Sequence, residues 1–186
     1  LNPILRDFKP TIETDRLLIR KPEVGDGKAV NDAIKASLPE LKAWMPWVQE
    51  VPTPEDTEEN IRESVANWIN RTNLRMLVFH KDTGEFIASS GFHAINWDIP
   101  KVEIGYWMDT RYTGQGYMTE VVDALTAYAF KELGVKRVQI LCDEDNKASR
   151  AVPERVGYQL EGIHYCDSLS ADRKMVRNTV YYSKTR

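Results

Sequence analysis

Apolar residues along the 186-residue chain change their period several times, and each change marks an element. Leu17, Leu18 and Ile19 within residues 16–20 make a short strand candidate that ends at Lys21 and Pro22. Ala, Val and Ile at helical spacing predict a first helix over residues 26–37, closed by Pro39. Residues 41–48 carry Trp44 and Trp47 on either side of Pro46, which excludes a long helix there. Thr53 then offers an N-cap, Pro54 suits the first helical position, and Glu55 and Asp56 put acids in the first turn. Ile61, Val65, Trp68 and Ile69 share one face behind them, so a helix to about Asn70 follows.

The period then shortens to two. Runs over residues 75–80 and 85–95 flank Lys81, Asp82, Thr83 and Gly84, whose Asp and Gly suit a hairpin turn. A third run spans residues 101–108, and three strands with short links make an antiparallel meander. After a glycine-bearing bend, Val121, Val122, Leu125, Tyr128 and Ala129 define a long helix over residues 116–133, stopped by Gly134. A strand over 135–142, a polar segment from Asn146, and final strands over 158–165 and 176–183 complete the chain. The expected class is α/β with a mixed sheet in a single domain, residues 1–186, without internal repeats.

Composition narrows the range of functions. Lys and Arg number 25 against 28 Asp and Glu, a net charge of −3, which does not suit a chain whose main task is neutralising nucleic-acid phosphates. Apolar runs are only a few residues long, against the roughly 20 a membrane span needs. The first residues show no basic segment followed by an apolar stretch, so the cytoplasm is the expected location. Cys142 and Cys166 have no partner cysteines or clustered histidines, which excludes a disulfide framework or Cys-rich zinc site, and both are expected to be buried thiols.

Where the third strand of the meander passes into the long helix lie Arg111, Tyr112, Thr113, Gly114, Gln115, Gly116, Tyr117, Met118 and Thr119. At such a junction unpaired backbone N–H groups and the helix dipole face the same point, where an anion fits. No Gly-Lys-Ser/Thr follows, and the third glycine of the dinucleotide fingerprint is absent, so neither of those nucleotide loops applies. Taken alone, Gly114 and Gly116 are equally consistent with a tight strand-to-helix turn.

The Arg111-x-x-Gly114-x-Gly116 pattern, before a long helix, resembles the acyl-CoA pyrophosphate loop of the GNAT superfamily of acetyl-CoA-dependent N-acyltransferases. Residues 146–158, running Asn146-x-x-Ser149 to Arg155-x-Gly157-Tyr158, resemble a second segment of that superfamily at the expected distance downstream. The resemblance covers nearly the whole chain and is strongest to the ribosomal-protein serine or alanine acetyltransferase branch. It implies a mixed, V-splayed sheet of about seven strands with about four helices. Acetyl-CoA would lie between two parallel central strands, residues 102–108 and 135–142. Pro153 departs from an uninterrupted fourth helix and predicts a kink or late start.

Acetyl transfer to an amine needs a neutral nitrogen, a polarised thioester carbonyl and a way to discharge the leaving thiolate. Alternation puts Glu103, Gly105 and Trp107 on one strand face and Val102, Ile104 and Tyr106 on the other. Glu103 is either a carboxylate paired with a basic neighbour or, as the resemblance implies, the base, its pKa raised by burial. Ser149 is a helix-capping residue by default and, by resemblance, the donor to the departing sulfur. Asn146 is likewise a cap or a contact to the pantetheine arm. The backbone N–H of Met108, freed by a bulge, would polarise the carbonyl.

The resemblance also implies that the bend from Thr113 to Thr119 meets the phosphates, with Arg111 and Arg155 either joining it or standing as solvated charges. Trp44, Trp47 and Trp107 are expected to wall the acceptor side, with Trp97 a weaker candidate. His80, His93 and His164 are isolated in sequence and receive no role. No metal is required. The expected partners are acetyl-CoA and an amine, foremost a ribosomal-protein N-terminus, with no nucleic acid or membrane, in a monomer or homodimer. A small amine is the alternative acceptor, for which the acids around Glu55, Asp56, Glu58 and Glu59 would have to face the cleft. A non-catalytic acyl-CoA sensor is the alternative to an enzyme.

Overall fold

The computed structural model describes residues 2–186. One mixed sheet contains β1 (Thr11–Glu13), β2 (Leu17–Arg20), β3 (Leu74–His80), β4 (Phe86–Asn96), β5 (Lys101–Ile104), β6 (Trp107–Met108), β7 (Arg137–Asp143), β8 (Gln159–Leu169) and β9 (Val176–Thr185). Their spatial order is β1-β2-β3-β4-β5-β7-β9-β8, with β6 also paired to β4. Every pairing is antiparallel except β5 with β7. The nine strands exceed the expected seven because β1 carried no sequence signal and the third meander strand is divided.

Four helices cover the sheet: α1 (Gly27–Trp44), α2 (Pro54–Asn70), α3 (Tyr117–Tyr128) and α4 (Lys147–Val156). One core packs β2–β7 and β9 against α3, with Val102, Ile104, Val138 and Ile140 meeting Val121, Val122 and Leu125. The other packs Leu77, Phe79, Phe86 and Trp107 against Val30, Ile34 and Leu41 of α1 and Ile61 of α2. Among the described residues no helix is long and apolar enough to cross a membrane.

Four expectations about helices are corrected. Pro39 does not close α1, which continues to Trp44. Pro39 and Lys35, whose carbonyl it deprives of a donor, are both exposed, so water can take that carbonyl while Leu41 buries beyond them. Ile69 is 62% exposed, because Trp68 takes the inward position at the end of α2 and hydrogen bonds the Arg75 carbonyl. Pro153 brings no late start to α4, which begins at Lys147 and runs past it to Val156. The long third helix ends earlier than expected, passing at Ala129 into a π-helical turn to Leu133 that Gly134 closes at φ +68°.

The feature that opens the sheet lies at its centre. β5 pairs with β7 only from Lys101 opposite Arg137 to Glu103 opposite Gln139. Beyond that point the strands part, because Gly105 and Tyr106 leave the ladder before β6 resumes on β4. No residue is inserted there: Phe92 faces Ile104 and Ser89 faces Trp107 in one continuous register. The expected bulge is therefore an interruption. The register shift lies at the other end of β5, between His93 and Asn96, where Ala94 takes φ +46°.

Candidate active site

A cavity of about 870 Å³ occupies the opening between the parted strands and runs on beneath α1 and α2. Glu103, Trp107, Asn146, Ser149, Trp44 and Trp47 all line it, so two distant sequence blocks meet at one cleft. Gly91 and Gly105, both in its sheet wall, have no room for a side chain. A Cβ on Gly91 would sit 2.4 Å from the Leu74 carbonyl oxygen, and one on Gly105 would sit 2.8 Å from His93 Cε1.

Glu103 stands at the last paired position before the strands part. His93 Nε2 lies 2.9 Å from its Oε1, and the Gln139 amide donates to Oε2 at 3.1 Å. Burial would push this carboxyl up, yet the hydrogen bonds from His93 and Gln139 and the His93 charge hold it below its ordinary value. The expected rise is thus corrected: Glu103 is an ionised carboxylate buttressed by two side chains. His93, given no role from the sequence, faces the cleft beside it.

Ser149 sits in the first turn of α4, where Asn146 Oδ1 accepts from its N–H at 3.1 Å and caps the helix. Pro153, four residues on, cannot donate to the Ser149 carbonyl. The Tyr106 hydroxyl does so instead at 2.8 Å, fixing the phenol across the opening. Ser149 Oγ is 3.4 Å from that hydroxyl and 3.3 Å from Cys142 Sγ. Burial pushes both the Tyr106 phenol and the Cys142 thiol up, so both keep their protons at neutral pH. Cys166, by contrast, is exposed, contrary to expectation, because it lies on the solvent face of the β8–β9 hairpin.

The bend leading into α3 keeps its amides open. Gly114 and Gly116 take φ +75° and +79°, and Gly116 is the N-cap of α3. Among the described residues, no acceptor within the protein meets the N–H groups of residues 114–119. Six consecutive free donors at a helix N-terminus fit a diphosphate. Arg111 is already engaged: Asp109, wholly buried, accepts from its guanidinium and from its backbone N–H. Arg155 is exposed in the last turn of α4, outside the cavity lining. Met108 faces Ala88 while the Asp109 N–H donates to Ile87. The alternation of an antiparallel ladder then makes Met108 a non-hydrogen-bonded position whose N–H turns away from β4.

On the acceptor side, Trp47 tilts against Trp107 at 5.9 Å, and Trp44 ends α1 at the cavity edge. Trp97 instead stacks on Phe8, away from the cleft. The acidic run does not form an acidic wall. Asp56 completes a capping box with Thr53, and Glu58 accepts from the Gly25 and Gly27 amides and Arg62. Glu55 and Glu59 are exposed outside the lining. Sequence reasoning missed His93, Gln139, Tyr106 and Arg75. Arg75 alone left a trace, as a charged position in the otherwise apolar run of β3.

Comparison with known proteins agrees with this geometry. The model of the acetyltransferase (GNAT) domain matches residues 16–159. A putative ribosomal N-acetyltransferase of Bacillus subtilis, YdaF, is 31% identical over 176 residues, covering 91% of each chain. The ribosomal-protein-serine acetyltransferase of Escherichia coli is 30% identical over 125 residues, 65% of this chain and 69% of that protein. In fold, the chain is similar to RimL, a ribosomal L7/L12 α-N-protein acetyltransferase solved with coenzyme A. The TM-score is 0.87 at 23% identity, over 94% of this chain and 97% of that one. The chain belongs to the GNAT acetyltransferase family and is an acetyl-CoA-dependent N-acetyltransferase.

Proposed function

We propose that the acceptor is a protein N-terminal α-amine of the ribosomal-protein type, acetylated by direct attack on the thioester while both substrates are bound. The observation that carries this reading is the single cleft at which Glu103, on one parted strand, and Ser149, on the helix after the other, face the same space. The free amides of residues 114–119 hold the diphosphate of acetyl-CoA, and Asn146 lies where its pantetheine arm enters the opening. The Met108 N–H polarises the thioester carbonyl. Glu103, in contact with His93, accepts the proton that the attacking ammonium must lose. As the new C–N bond forms and the C–S bond breaks, the Ser149 hydroxyl donates a hydrogen bond to the leaving thiolate, which takes up a proton from water or the Tyr106 phenol. Arg111 steadies the bend through Asp109, and Trp44, Trp47 and Trp107 wall the acceptor.

The names of the relatives that act on ribosomal proteins support an α-amine acceptor. For a cationic small amine the acidic run offers only Asp56 to the cleft, and that residue is held in its capping box with Thr53. The test is release of free thiol with peptides beginning in Ser or Ala, beside a panel of polyamines, amino acids and aminoglycosides. Glu103→Gln should lower turnover by about 10²- to 10⁴-fold, the usual range for a general base, with coenzyme A affinity by calorimetry unchanged. Equal turnover in variant and wild type across pH 6 to 9 would remove Glu103 from the reaction. Preference for the small amines would remove the α-amine assignment.

A further inference from the structure

Arg75 lies in β3 with its side chain in the acceptor half of the cavity. Its Nε donates to Ser89 Oγ at 2.9 Å and its Nη1 to Asn60 Oδ1 at 2.7 Å, with Ser64 Oγ at 3.4 Å. All three partners are neutral. Among the described residues, no carboxylate comes within 4 Å of the guanidinium, and no protein group accepts from Nη2. Burial pulls the Arg75 pKa down to about 10; the one charge opposing this is Asp26, which Arg20 already grips through both oxygens at 2.8 Å. Asp56 and Glu63 line the same cavity, but Asp56 is held in its capping box and neither pairs with Arg75.

A partly buried guanidinium without a counter-charge is unfavourable, and its fork is suited to a carboxylate. Its position is equally specific. Ser89, which receives Nε, faces Trp107 across the β4–β6 ladder, so the guanidinium stands level with the residue before Met108. Gly91, which also lines the cavity, is the residue paired with Arg75 across the β3–β4 ladder and carries no side chain.

We infer that Arg75 is the binding group for a carboxylate on the acceptor, so that the substrate is an amine carrying an acidic group close to its reacting nitrogen. This deepens the proposed acyl transfer and rests on the same cleft being the acceptor site. The carboxylate comes either from an acidic side chain near a peptide N-terminus or from a free amino acid. The guanidinium accepts both sources, and Nη2 supplies the free donors.

Two matched pairs of probes separate the sources: Ser-Asp-Ala-Ala-amide against Ser-Asn-Ala-Ala-amide, and L-glutamate against L-glutamine amide. In the wild type, the carboxylate member of at least one pair should show a kcat/KM about tenfold or more above its neutral partner, as a charge-assisted hydrogen bond provides. Arg75→Gln, which keeps a donor for Ser89, should reduce that preference to less than about twofold, and Arg75→Lys should retain part of it. Circular dichroism checks that both variants fold. A neutral member equal to its partner in both pairs, or a preference that survives Arg75→Gln, would overturn the assignment. If no probe is acetylated, the proposed acyl transfer to these amines fails separately. Calorimetry with the coenzyme A-loaded protein then decides Arg75: binding of the acidic member lost in Arg75→Gln supports it, and equal binding of both members refutes it.

Discussion

A single methyl group placed on Gly105 tests whether the contact between His93 and Glu103 matters for acetyl transfer. Gly105 has an ordinary negative-φ backbone, so Gly105→Ala brings no conformational penalty of its own. Its Cβ would lie 2.8 Å from His93 Cε1 and 3.3 Å from Nδ1, closer than packed side chains allow. The imidazole must retreat by roughly 0.7 Å or more to restore ordinary contact distances near 3.5 Å. That displacement opens the 2.9 Å contact to Glu103, a hydrogen bond to a charged group worth about 1.5 to 3 kcal/mol. His93 is half-exposed and can swing outward, so most of the loss should fall on activity and little on folding.

The pH dependence follows from the same contacts. In the wild type His93 and Gln139 outweigh burial and hold the Glu103 pKa down, so the carboxylate is ionised throughout the neutral range. With His93 displaced, burial is opposed only by Gln139, and the Glu103 pKa moves up. The acidic limb of the kcat/KM profile should therefore move to higher pH. A folded-state pKa below the unfolded one contributes stability that is present above the unfolded value and lost as pH falls through the folded value, so this contribution shrinks in the variant. Thiol release between pH 5 and 9, with carbon-13 titration of the labelled carboxyl, reads both effects. Turnover is expected to fall by about ten- to a hundredfold, the rate equivalent of losing that hydrogen bond. A variant with wild-type turnover and an unchanged Glu103 titration would refute the reasoning.

Two further substitutions test the scaffold. Tyr106→Phe removes the donor to the Ser149 carbonyl and should cost about 1 to 3 kcal/mol in urea denaturation. In a Pro153→Ala background the restored helical N–H can take over that carbonyl, so the cost should fall by at least about 0.5 kcal/mol, and strict additivity would dismiss the link. Gly91→Ala should lower stability by about 3 kcal/mol or more. It combines left-handed strain at φ +124° with a Cβ driven into the Leu74 carbonyl, and a loss below about 1 kcal/mol would contradict that geometry.

Much of the fold was legible because it depends on local signals. The Thr53 cap and Pro54 set the start of α2, and the period-two runs gave the meander. Gly134 stopped the third helical segment, and two glycines marked the bend before it. Pro39 was read too literally: like Pro153 it lies inside a helix, because each deprives one carbonyl and each deprived carbonyl has another possible partner. For Pro153 that partner is Tyr106, 47 residues earlier in the chain, a compensation that no local pattern reveals.

The chain alone thus determined the class, most of the order of elements and the glycine bend, since these follow from periodicity and turn chemistry, while the resemblance picked out the two blocks holding Glu103 and Ser149. Tertiary structure decided what surrounds them. His93 meets Glu103 only through the β4–β5 register, which a shift beside Ala94 makes unreadable from spacing. Gln139 reaches the same carboxylate only through parallel pairing across a helical crossover. The direction of the Glu103 pKa shift therefore reversed relative to burial alone, because a pKa responds to every group within a few ångströms and sequence specifies few of those distances. Arg75 is isolated from counter-charge for the same reason: its surroundings come from α2 and β4, elements brought to it by packing.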